Sequence, residues 1–132
     1  MASGPKLDAA GTAKLQTLDD AILLLQRLNG LVELYALAVK NSQPSGPILT
    51  TFRRTLPSFA ANIKTHFGLI AEQAVALNLS ASRGASEAVR VRTMREGMAL
   101  LKQALEIALV QTRARHTVSE EPRPASGGGD AT

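Results

Sequence analysis

Cysteine and tryptophan are absent from the 132 residues, and three phenylalanines and one tyrosine are all the aromatics. Without thiols there is neither a disulfide framework nor a thiolate metal site, which fits a reducing compartment. Aromatics are 3% of the chain and hydrophobic residues 45%, so any core must be built from Leu, Ile, Val and Ala. These include strong helix formers, and no β-branched or aromatic cluster bounded by turn residues marks a strand. The composition predicts an all-α domain.

Other absences narrow the function. No GxSxG, P-loop, GxGxxG, HExxH or paired-carboxylate constellation occurs, and His66 and His116 are far apart. His66 falls beside the apolar seam of its helix and reads as a core-flanking residue. His116 falls at a helix end, where it can meet the last carbonyls. No metal, cofactor or catalytic residue is expected. The first residues have no apolar stretch of the signal-peptide kind. The greasy run from Ala21 to Val39 is interrupted by Gln26, Arg27, Asn29 and Glu33, which a lipid-exposed span tolerates poorly. The expectation is a cytoplasmic protein.

Acid is missing where base is present. From Leu34 to Ala71 there is no Asp or Glu, only Lys40, Arg53, Arg54 and Lys64, in a chain of net charge +4. A second basic segment holds Arg83, Arg90, Arg92, Arg95, Lys102, Arg113 and Arg115 against Glu87, Glu96 and Glu106. Cations concentrated on particular helices point to an anionic partner.

Periodicity supplies the organisation. Residues 1–11 read as a flexible lead-in, 12–116 as a helical bundle and 117–132, rich in Pro, Gly and Ser, as a disordered tail. A long helix from Thr12 to Lys40 carries Leu15, Leu18, Ile22, Leu25, Val32 and Val39 at helical spacing, with Asn29 in the same seam. A second stripe includes Leu24, Leu28, Leu31 and Tyr35. A helix apolar over most of its circumference needs partners on more than one side, so these four residues are the expected oligomer or partner interface. "NSQPSGP" breaks the helix, with Ser45 as a candidate cap. The next seam runs through Phe52, Leu56, Phe59 and Ile63 to Ile70, Ala74 and Leu77, with weak points at Pro57 and Gly68. A turn is expected at "NLSASRGAS", residues 78–86. The last helix begins at Ser86-Glu87 and buries Val91, Met94, Met98, Leu101 and Leu105. The result is an antiparallel bundle of three long helices, or four if the middle one breaks between Asn62 and Gly68.

At about 100° per residue, Arg54, Ser58 and Asn62 line up along one edge of the second seam, while Arg53 and Lys64 share the opposite edge. Ser58 and Asn62 are expected to make structural hydrogen bonds between helices. Arg53, Arg54 and Lys64, with Arg92, Arg95 and Lys102 of the last helix, are the candidate phosphate contacts; Arg90, nearer its seam, is a weaker one. On neighbouring helices these two basic flanks would form one phosphate-contacting surface, and such contacts give affinity without sequence specificity.

"LTTFRRTLPSFAANI" also resembles the signature helix of a family of small bacterial four-helix proteins. The family includes proteins encoded in intervening sequences of 23S ribosomal RNA genes and the accessory variability proteins of diversity-generating retroelements. The matching residues are Phe52, Arg53, Arg54, Ser58-Phe59 and Asn62-Ile63. The chain departs where the family continues with Ala-Glu-Gly, here Lys64-Thr65-His66, and it carries its proline at Pro57 where the family's falls at the position of Ala60. The resemblance implies a homopentamer that binds a reverse transcriptase and its template RNA without catalysis of its own. The residues by themselves admit a non-catalytic, oligomeric nucleic-acid-binding accessory protein, or a helical scaffold that docks a protein and binds no nucleic acid, with a small helical enzyme using His66 as a third and weaker reading.

Overall fold

The computed structural model describes residues 6–83 and 86–118. Four helices account for nearly all of them: α1 (Ala9–Lys40), α2 (Gly46–Ile63), α3 (Gly68–Ser82) and α4 (Glu87–His116). The short connectors make sequential neighbours antiparallel, and the bundle closes through α1–α2, α2–α3, α3–α4 and α1–α4 packing. That order leaves α2 and α4 on one diagonal and α1 and α3 on the other. Two short strands, β1 (Lys6–Leu7) and β2 (Thr117–Val118), pair antiparallel where the chain enters and leaves the bundle. The tail expected to be disordered lies, from Ser119 onward, outside the described residues.

The core follows the apolar periodicity. Leu18, Leu25 and Val32 of α1 are buried with Phe52, Leu56, Phe59 and Ile63 of α2, Ile70, Ala74 and Leu77 of α3, and Met94, Met98, Leu101 and Leu105 of α4. Asn29 is exposed rather than in the seam. The middle segment breaks at Lys64–Phe67, within the expected interval, and α2 runs unbroken through Pro57, which sits on its exposed side. α1 is long and apolar enough to cross a membrane by length and composition; here its buried side faces α2 and α4.

Helix ends depart from expectation for local reasons. α1 starts at Ala9, earlier than Thr12, because Asp8 caps it: Oδ1 accepts from the Gly11 N–H at 2.6 Å. Its far end is a Schellman turn. Ser42 takes a positive φ of 55°, Gln43 N–H bonds Ala38 O at 2.8 Å and Ser42 N–H bonds Val39 O at 3.2 Å. Ser45 precedes α2 but makes no cap bond; its hydroxyl donates instead to Glu87 Oε2 at 2.7 Å, tying the starts of α2 and α4 together. Ser86 does cap α4, accepting from Val89 N–H at 3.2 Å. The turn expected from Asn78 is helical as far as Ser82. Ser82 returns its hydroxyl to Asn78 O at 2.6 Å, and the end of α3 is held from outside by Arg90.

Candidate nucleic-acid interface

Each proposed phosphate contact sits on α2 or α4. Arg53 and Arg54 are exposed near the middle of α2, and among the described residues neither makes a salt bridge. By helix periodicity Arg53 lies on the flank that faces α3, with Ala60 and Lys64. Lys64 ends α2 and lines the α2–α3 groove beside Glu72. On α4, Arg92 and Lys102 are exposed, and Lys102 borders the α1–α4 groove with Gln26 and Asn29.

Three expectations are corrected. The two basic rows do not lie on neighbouring helices, because α2 and α4 are diagonal; one molecule presents two separate rows, not one patch. Arg95 is already engaged: Nη2 lies 2.8 Å from Glu33 Oε1 and Nε 3.2 Å from Oε2. That bidentate bond holds the Glu33 carboxyl below the usual range and raises Arg95. Both side chains are more than half exposed, so solvent screens the pair and it adds little to the stability of the fold. Ser58 and Asn62 are exposed and, among the described residues, make no side-chain hydrogen bond, so they fix no helix register.

The expected partner interface on α1 is corrected too. Leu28 and Tyr35 are 0% and 1% exposed, buried by this chain's own helices, and Leu24 and Leu31 pack partly against the same core. The two-sidedness read from the α1 sequence is satisfied within the molecule by α2 and α4. What remains exposed on α1 is its outer face, with Leu23, Leu34 and Leu37 at 65%, 54% and 52%.

Arg90 has a structural role. Its guanidinium donates from Nε to Ala81 O at 2.8 Å, from Nη2 to Arg83 O at 3.1 Å and from Nη1 to Tyr35 Oη at 3.3 Å. Carbonyls at a helix C-terminus have no partner of their own; one side chain of α4 supplies one for α3 and reaches α1 as well. The position of Arg90 close to its seam was the signal for this.

At the opposite end, His116 closes the bundle. Lys14 Nζ lies 3.1 Å from His116 Nε2, and His116 Nδ1 lies 3.1 Å from Asp8 Oδ1. An ammonium can only donate, so Nε2 accepts and the ring proton sits on Nδ1, where it is donated to Asp8. The Asp8 N–H also bonds His116 O at 2.9 Å. A side chain at Gly11 would collide with His116 Cβ and lie 3.0 Å from Cγ, so the close approach of the two ends requires glycine. Among the described residues no group of three or more His, Cys, Asp or Glu is placed to hold a metal ion.

The clasp titrates on its acid side. The Asp8 carboxyl lies below its usual range, chiefly through the Gly11 N–H bond and further through His116 and Lys14, with some desolvation opposing. A depressed carboxylate contributes stability that is present above its unfolded pKa and lost as pH falls through the folded one. The Gly11 amide should therefore exchange faster with solvent below the ordinary carboxylate range, and Asp8→Asn should remove that acid dependence. An exchange rate that tracks only the intrinsic pH dependence would show that the clasp contributes nothing.

A scan against family models, a search of curated proteins and a search of solved structures each found no match for this chain.

Proposed function

We propose that the protein is a non-catalytic, oligomeric accessory protein that binds nucleic acid through the phosphate backbone. The observation that carries this is α2, which exposes Arg53 and Arg54 from within a run, Leu34 to Ala71, that has no acidic residue. Arg92 and Lys102 on α4 give a second basic row, with Lys64 beside the first. The arginine-bearing resemblance of residues 49–63 supports the same reading. On that basis the partner is a reverse transcriptase with its template RNA, the assembly is a homopentamer and the setting is cytoplasmic.

Salt dependence is the test. Each phosphate neutralised adds roughly −0.7 (single strand) to −0.9 (duplex) to the slope of log K against log salt. Arg53→Glu with Arg54→Glu should weaken binding to a mixed RNA and DNA pool and reduce the magnitude of that slope by roughly 1.4 to 1.8. Both residues are exposed, so the thermal melt should barely move. Affinity indifferent to salt, or unchanged in the double variant, would overturn the reading. The exposed apolar faces of α1 and α3 favour a second reading, a protein-docking scaffold. It predicts that the arginine changes leave partner binding intact.

A further inference from the structure

α3 is mostly apolar around its circumference, with one charged residue, Glu72, in Gly68–Ser82. A helix of that kind belongs in an interior. Here its outer face is bare: Leu69, Val75 and Leu79 are 78%, 52% and 58% exposed. Open grooves flank it, one of about 580 Å³ against α2 and two of about 420 and 280 Å³ against α4. Diagonally opposite, the outer face of α1 is the second apolar surface. It carries Leu23, Leu34 and Leu37, with Gly30 between them. A glycine in mid-helix costs about 0.5–1 kcal/mol relative to alanine, and among the described residues nothing requires it, since a Cβ at Gly30 would meet none of their atoms within 4 Å.

We propose that these two faces are complementary halves of one interface, so that α3 of one copy docks on α1 of the next. The proposal deepens the oligomer assigned above by naming its surface. α1 and α3 run in the same direction, and with the two helices parallel a single register aligns four positions. Leu69 meets Leu23, Glu72 meets Arg27, Ala76 meets Gly30 and Leu79 meets Leu34, with an offset constant to within one residue. The only charge on α3 thus meets an opposite charge, and the glycine lies where backbones approach most closely. An interface formed by α2 on α2 would instead set Arg53, Arg54 and Lys64 against their own copies. A helix of this length is about 22 Å long and each helix about 10 Å wide, so α3 with its two grooves offers roughly 450 Å² in projection. That projection is a little over half of the roughly 800 Å² per partner that a standard-size interface buries.

Because the two faces differ, the contact is heterologous. It builds an open row, or a ring if the rotation closes, and not a two-fold dimer. In either form α2 and α4 lie to the sides, and their basic rows repeat from copy to copy.

The test uses the full chain without nucleic acid, so it fails or succeeds independently of phosphate binding. Gly30→Arg blocks the α1 face and Leu79→Glu the α3 face; both positions are exposed, so circular-dichroism melts should show folded protein. By light scattering the unaltered chain should exceed its 13.9 kDa single-chain mass, and each variant alone should fall to that mass. An equimolar mixture should form a one-to-one dimer, since each variant retains the face the other has lost. Glu72→Arg and Arg27→Glu should each weaken assembly several-fold and together restore it, which also covers the case in which a blocking variant misfolds. A monomeric unaltered chain, an assembled single variant or a mixture that stays monomeric would overturn the proposal. An isologous dimer through α3 would be revealed by Gly30→Arg remaining dimeric.

Discussion

Arg90→Leu should lower the unfolding free energy by about 2–4 kcal/mol, measured as a shift of the urea midpoint at constant slope. Hydrogen bonds to a charged group each contribute roughly 1.5–3 kcal/mol, and a buried group left unpaired costs about 1–3. Arg90 serves two carbonyls at the end of α3, and its third bond goes to the hydroxyl of Tyr35, which is 1% exposed. Leucine keeps some of the volume and removes every donor. Arg90→Lys should recover only part of the loss, because one ammonium cannot span three acceptors set by a planar fork. Tyr35→Phe combined with Arg90→Leu should cost less than the two changes added, since the second removes the partner the first leaves stranded. A loss below about 0.5 kcal/mol, the scale of ordinary surface changes, would mean that water replaces the guanidinium without penalty. Folded Arg90→Leu protein should bind nucleic acid as the unaltered chain does, which separates this residue from Arg53 and Arg54.

Gly97→Val should be at least as damaging, about 3 kcal/mol or more, and Gly97→Ala should cost about 0–2 kcal/mol net. An added Cβ would overlap Leu77 Cδ1 and lie 2.8 Å from Cδ2 and 2.9 Å from Cγ. Leu77 is only 7% exposed, so its side chain cannot simply swing into solvent. Overpacking of this kind costs typically 1–3 kcal/mol, and the better helix propensity of alanine returns up to about 1. Gly30 provides the control, since it is also a mid-helix glycine but has open space around it. Gly30→Ala should be neutral or stabilising by up to about 1 kcal/mol in the single chain. The clash at Gly97 should also be partly relieved by Leu77→Ala, so the double variant should be less unstable than the sum. Equal effects at Gly30 and Gly97 would show that α3 and α4 do not approach closely at that point.

Helix lengths and buried faces could be read from the sequence wherever apolar spacing was strong. The seams of α2 and α4, the break before Gly68 and the end of α1 at Lys40 all followed from side-chain periodicity and turn residues. Where polar residues played a part that depends on tertiary contact, the reading failed. Asn78 to Ser82 looks like a turn, yet stays helical because a guanidinium on α4 satisfies the carbonyl of Ala81. Asp8 and His116 are 108 positions apart, and no local pattern brings them together. Periodicity reports which face of a helix is buried, not which helix buries it. Leu28 and Tyr35 therefore read as a partner surface although α2 and α4 cover them, and the basic rows of α2 and α4, expected on neighbouring helices, lie on a diagonal. Exposure of Arg53 and Arg54 was readable from their offset against the Phe52–Leu56 seam. Engagement of Arg95 by Glu33 was not, since it depends on the packing of α4 against α1.

The pairing of Lys6–Leu7 with Thr117–Val118 places the start and finish of the bundle side by side, one strand spacing or about 5 Å apart. Chain order is then nearly irrelevant to this architecture. A few residues joining those strands would make the backbone circular, and it could be reopened at the connection between Asn41 and Ser45 without cutting a helix. The same geometry makes one corner of each molecule the exit for both directions of the polypeptide. That corner, where Lys6 pairs with Val118, is on the end of the bundle away from the α1–α2 turn.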